Sequence, residues 1–168
     1  MTSSRNLTLA LLAFLLLAGS CQDRKTPLQR LQDQLANDSV TLSKLQDRHV
    51  HMWDDFRWCD SMLQYVPQEQ VDNYFEDLNL AQAYLNQFDE ILPLMLHTVS
   101  YTRRQLTNLQ NDIDTHYISD SLAAVYLEDE TSVADTLHHR VLYFQDRLTR
   151  QDETLGSIRK SIRKAAKP

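Results

Sequence analysis

Between residues 69 and 116, apolar side chains return every seven positions. Val71, Leu78, Leu85, Leu92, Val99, Leu106 and Ile113 form one series; Tyr74, Ala81, Phe88, Met95, Thr102, Leu109 and His116 each follow three places later. This is the a/d seam of a helix that packs as a coiled coil. The preceding stretch reads the same way through Leu28, Leu31, Leu35, Leu42, Leu45, His49, Met52, Phe56, Cys59, Leu63 and Val66. Asp38 falls in that seam, so the helix either loosens at Asn37-Asp38-Ser39 or Asp38 reaches solvent or finds a partner. The last stretch runs Ala123, Tyr126, Glu130, Val133, Leu137, Val141, Phe144, Leu148, Gln151, Leu155, Ile158, Ile162 and Ala165. Two successive steps of four around Leu137 predict a stutter.

The punctuation agrees with three helices. Thr26 caps the first, with Pro27 at its first helical position. Pro67 cannot continue that helix. Ser119 caps the third, and Asp120 complements its dipole. Helices are therefore predicted over residues 26–66, 69–115 and 119–166. Pro93 removes a hydrogen bond to the Asp89 carbonyl inside the second helix. Because the seam continues across it, a kink is expected there and not an end. Short connections make neighbours antiparallel. The predicted fold is all-α: an elongated antiparallel three-helix coiled-coil bundle over residues 26–168. A compact four- or five-helix bundle, broken at Asn37 and Pro93, is the second arrangement.

Folding at Pro67 brings Phe56 level with Leu78 and Trp53 level with Ala81. Folding near Tyr117 brings Asp72 and Glu76 level with Arg163 and Arg159, and Arg103 and Arg104 level with Asp129 and Glu130. Opposite charges then meet at both ends, as coiled-coil flanks favour. The net charge of −6 gives no reason to expect a nucleic-acid partner. Glycine occurs only at positions 19 and 156. Phosphate-cradling loops, dinucleotide fingerprints and nucleophile elbows need glycine at sharp turns, so those classes are excluded.

Ahead of the helices, Arg5 precedes an apolar run from Leu7 to Ala18, which is too short to span a bilayer. It ends Leu17-Ala18-Gly19-Ser20-Cys21. These residues resemble the lipobox of bacterial lipoproteins, with Ala18 where leucine is usual. The resemblance implies a signal peptide over residues 1–20, removed before a Cys21 that carries the lipid (diacylglyceryl and palmitate), and a linker over 21–25. It also implies a cell-envelope location, anchored in the membrane and facing the periplasm or the surface. Together with the chain length and the long helices joined near Asn111–Ser119, it is similar to the helical coiled-coil lipoproteins of Bacteroidota. That likeness implies no activity.

The remaining chemistry is sparse. Asp47, His51, Asp55 and Cys59 lie four apart on one helical stripe, a spacing that can chelate a metal. No matching cluster appears elsewhere: Asp135 and His138 stand alone, and the adjacent His138 and His139 point in different directions. No metal site, cofactor or small-molecule substrate is therefore expected. Cys59, lacking a partner within the chain once Cys21 is lipidated, is expected to be buried. The basic run Arg159, Lys160, Arg163, Lys164 and Lys167 suits a helix C-terminus. Asp-Ser/Thr triplets at Ser39, Ser61, Ser121 and Thr136 resemble an O-glycosylation signal of some Bacteroidota; Ser39 and Ser121, near turns, are the accessible ones by position. No Ser/His/Asp set is oriented for catalysis. The sequence thus predicts a non-enzymatic envelope lipoprotein, serving as an interaction or spacer module toward an envelope protein or the cell wall. Trp58, Tyr65, Tyr84, Tyr101 and Tyr143 are its expected exposed aromatics. The alternative is a metal-responsive envelope protein using Asp47, His51 and Asp55.

Overall fold

The computed structural model describes residues 26–165. The Leu7–Ala18 run, Cys21, the 21–25 linker and Lys167 lie outside them. Three helices pack against one another: α1 (Pro27–Met62), α2 (Gln68–Asp114) and α3 (Asp120–Ala165). At 1.5 Å per residue they are about 54, 70 and 69 Å long. Among the described residues there is no strand, and no helix is long and apolar enough to cross a membrane.

The helix ends follow from local chemistry. Thr26 and Gln29 form a reciprocal capping box: the Thr26 hydroxyl accepts from the Gln29 N–H at 3.2 Å, and the Gln29 side chain accepts from the Thr26 N–H at 3.0 Å. α1 ends four residues short of the predicted limit. Leu63–Tyr65 tighten into a 3₁₀ turn, and Val66 is extended at φ −96°, ψ 139°. Val66 precedes Pro67, whose ring disfavours a helical neighbour. At the other end, His116 was predicted as a seam residue but leaves the helix at φ 54°. Its N–H donates to the Ile113 carbonyl, and the Tyr117 N–H donates to the Asp112 carbonyl. This is the double bond of a Schellman cap, with histidine in the left-handed position that glycine usually takes. The Ser119 hydroxyl then accepts from the Leu122 N–H, and α3 begins. α2 runs unbroken through Pro93, which is exposed.

The seams meet in a long main core, with a second, smaller cluster of Leu28, Leu109 and Ala123 at the end near the α2–α3 turn. Leu35, Leu42, Met52, Leu85, Phe88, Met95, Leu106, Val141, Leu148, Leu155 and Ile162 are all almost wholly buried. Each fully buried Leu, Ile, Met or Phe side chain contributes about 1.5–3 kcal/mol, so the seams dominate stability. Rings of His49, Phe88 and Phe144 touch in sequence across the three helices, with centroids 5.0 and 5.3 Å apart. α1 and α3 run parallel. The cross-links Asp38–His138, Gln34–Asp135, Arg48–Thr149 and Asp55–Arg159 have sequence separations of 100, 101, 101 and 104. His49 reaches the Leu85 carbonyl, which matches the antiparallel register predicted from the fold at Pro67.

The predicted stutter in α3 is absent. Tyr126 and Val133 are exposed at 47% and 43%; Leu127 is half-buried and Ala134 is fully buried. The inward series is therefore 123, 127, 130, 134, 137, 141 and onward, alternating steps of four and three as an unbroken heptad does. The small Ala134 occupies the inner position and the larger, β-branched Val133 flanks it.

This assignment has a direct test. Ala134→Leu overpacks a filled layer and should destabilise by about 1–3 kcal/mol, whereas Val133→Ala should change stability by less than about 0.5 kcal/mol. Urea unfolding followed by circular dichroism reads both; a stutter would reverse their order.

Candidate functional site

Among the described residues, four polar side chains are buried in the seams: Asp38, His49, Thr102 and Gln151. Asp38 finds a partner and leaves α1 intact. Its Oδ1 lies 2.8 Å from Nδ1 of His138, which a carboxylate acceptor fixes as the protonated nitrogen. Asp38 Oδ2 and Thr102 Oγ1 are buried without a hydrogen-bond partner among the described residues. His49 Nε2 faces the Leu85 carbonyl at 3.0 Å and so donates to it. The Trp53 indole donates to Asp89 at 3.0 Å. These contacts bind helices to each other.

The predicted metal stripe is not gathered into a site. Asp47 and His51 lie on the solvent face. Asp55 is taken by the Arg159 guanidinium, and Cys59 is buried as a free thiol 4.0 Å from the Leu155 carbonyl. Burial, with the nearby Asp55 charge adding, pushes the Cys59 thiol up to about 11, so little thiolate forms near neutrality. No group of three His, Cys, Asp or Glu side chains among the described residues is arranged to hold a metal ion. His138 and His139 diverge, as their adjacency implied: His138 turns to Asp38, and His139 borders an open depression of about 680 Å³ beside Pro27.

Two arginines of the basic end of α3 turn to α1, where facing acids at the start of α2 were expected. Arg159 pairs with Asp55 rather than Glu76, and Arg159 and Arg163 both lie 5.3 Å from the Trp58 ring. Trp58 is thereby half-covered, contrary to its predicted exposure. Among the described residues, no ion pair joins Arg103 or Arg104 to Asp129 or Glu130. Of the four Asp-Ser/Thr triplets, Ser39 is half-buried in unbroken helix, while Ser61, Ser121 and Thr136 are exposed.

The surface feature that stands out is the face between α2 and α3. On α2, Leu80, Leu94 and Tyr101 are spaced by multiples of seven and are exposed at 48%, 51% and 45%. On α3, Tyr126, Val133 and Tyr143 line the facing side, also exposed. Tyr101 and Tyr143 are legible from the sequence and the other four are not, because the seam spacing places Tyr126 and Val133 inward and Leu80 and Leu94 lie outside the seam. Tyr84, expected to be exposed, is half-buried beneath Arg147, which lies 5.5 Å from both the Tyr84 and Tyr143 rings. Nearer the turn, Gln105, Asp112, Tyr126, Asp129 and Glu130 border a cavity of about 300 Å³. Burial, reinforced by the Asp129 charge, holds the Glu130 carboxyl above its ordinary 4.5; its Oε2 has no hydrogen-bond partner among the described residues.

A comparison with protein families, with curated proteins and with solved structures gives no match.

Two predictions follow from these polar groups. His138→Ala leaves the Asp38 carboxylate buried without its partner and should cost about 1–3 kcal/mol, whereas Asp38→Leu should be neutral or stabilising. Chemical denaturation of each variant measures the difference. A raised Glu130 value means the folded chain holds its proton more tightly than the unfolded chain. That contribution is fully present below 4.5 and is lost as pH rises through the folded value. Glu130→Gln should remove this loss, so its stability gain over wild type should grow as pH climbs from 4.5; an identical pH profile for both proteins excludes it.

Proposed function

We propose that the chain is a non-enzymatic, lipid-anchored module of a bacterial cell envelope, holding an interaction surface away from a membrane. The observation that carries the reading is the division of apolar side chains. The three seams fill the core from end to end, yet a further row on α2 and α3 stays exposed beside Arg140 and Arg147. A bundle whose folding is already served by its seams retains such a row at a cost in solubility, which a binding partner offsets. The anchor rests on Cys21 and the residues before it, which resemble a lipobox. The partner is then an envelope protein or the cell wall, met at a distance set by helices about 54–70 Å long.

Expression of the full chain in a bacterium fed an alkyne fatty acid tests the anchor. Wild type should take up label and sediment with membranes, and Cys21→Ser should do neither. Label retained by Cys21→Ser, or an unlabelled wild type, removes lipidation from the proposal.

A further inference from the structure

Across the groove between α1 and α3, three pairs of charged groups join the helices. Asp55 meets Arg159, Arg48 meets Asp152, and Asp38 meets His138. The α2/α3 face differs. Among the described residues, Arg140 and Arg147 form no ion pair, nor do Asp112 and Asp129. The two sets are separated along the face. The acids sit toward the turn that joins α2 to α3, the arginines lie farther along α3, and Tyr101 and Val133 lie between them. Arg140 is eleven residues beyond Asp129, or about 17 Å along the helix.

We propose that this face binds a second copy of the same chain, antiparallel, about a twofold axis that crosses the helices just beyond Val133, midway between Asp129 and Arg140. The inference rests on reading the α2/α3 face as an interaction surface and names its occupant. The axis sets α3 against α3 of the second copy. Arg140 then comes level with the second copy's Asp129, and Arg147 reaches the level of Asp112. Each unmatched charge occurs twice, once on each side, as an isologous interface requires. Tyr101 and Val133 lie close to the centre, near their own equivalents, and Leu94 and Tyr143 cover the neighbourhood of Tyr126. The overlap is about 36 Å long and two helices, about 18 Å, wide. That approaches the roughly 800 Å² per partner of a stable complex. An unrelated partner could supply an apolar surface, but the opposite charges at mirrored distances from one centre are what a second copy supplies without further design. The interface is independent of what Cys21 carries.

Sedimentation equilibrium of the full chain in detergent, at 1–100 μM (roughly the range spanning a standard-size interface), reads the oligomer. A concentration-dependent dimer is expected, weakened severalfold by salt. Arg140→Glu with Arg147→Glu should weaken it at least about tenfold, with helix content by circular dichroism unchanged. Adding Asp112→Lys and Asp129→Lys to that variant should restore the dimer, because both sides of each pair are then reversed. Val133→Cys should cross-link to itself under oxidation, while Val50→Cys on α1 should not. A monomer throughout the range, or a dimer indifferent to charge reversal, overturns the inference. A monomer that photo-cross-links from position 133 to one envelope protein overturns the second copy while leaving the interaction reading standing.

Discussion

Everything in this molecule depends on three apolar seams of matched period closing on one another. A helix with a seven-residue repeat must hide its stripe, and a three-helix bundle hides all three at once along a shared axis. The closure sets the layer contents. Phe88 of α2 sits between His49 of α1 and Phe144 of α3, and small residues such as Ala81 and Ala134 lie fully buried in the same seams. It also sets what remains outside. Residues flanking the seams on α1 and α3 pair by charge across the groove, while between α2 and α3 Arg147 rests on the Tyr84 ring and several apolar side chains stay exposed.

Polar residues inside the seams restrict how the helices may slide. Hydrophobic layers tolerate a shift of one heptad, since Leu would again meet Leu. Such a shift would carry His138 about 10 Å from Asp38 and leave the carboxylate buried without it. His49 has the same role between α1 and α2, where the Leu85 carbonyl receives its N–H and Asp89 lies 3.6 Å away. The bundle thus has a length set by its leucines and a register set by two histidines.

Much of this was legible before the structure. The period of seven, Thr26 with Pro27, Pro67 and Ser119 mark three helices because each acts through local backbone chemistry. The errors arise where the answer lies on another helix. Val133 and Ala134 are adjacent apolar residues, and the space left by α1 and α2 decides which turns inward. The fate of Asp38 depended on a histidine 100 residues away. Arg159 and Arg163 were level with acids on α2, but Asp55 and Trp58 on α1 held them, since an ion pair and an aromatic face compete with charge alone. The α2/α3 face was half visible through Tyr101 and Tyr143. Its other members were hidden by the misplaced α3 stripe, which turned outward residues into core.

The parallel pairing of α1 and α3 gives the bundle a mechanical character. Residue 26 lies near one end and residue 165 near the other, about 57 Å apart along the axis. Tension applied between those points runs along the helices, and the chain cannot be peeled apart turn by turn. To extend, α1 must slide against α3 over its whole length, so every layer, with the Asp38–His138 and Asp55–Arg159 links, resists at the same moment. A three-helix bundle threaded this way carries a pulling load in shear, and its strength grows with the number of layers rather than with the strength of any one contact.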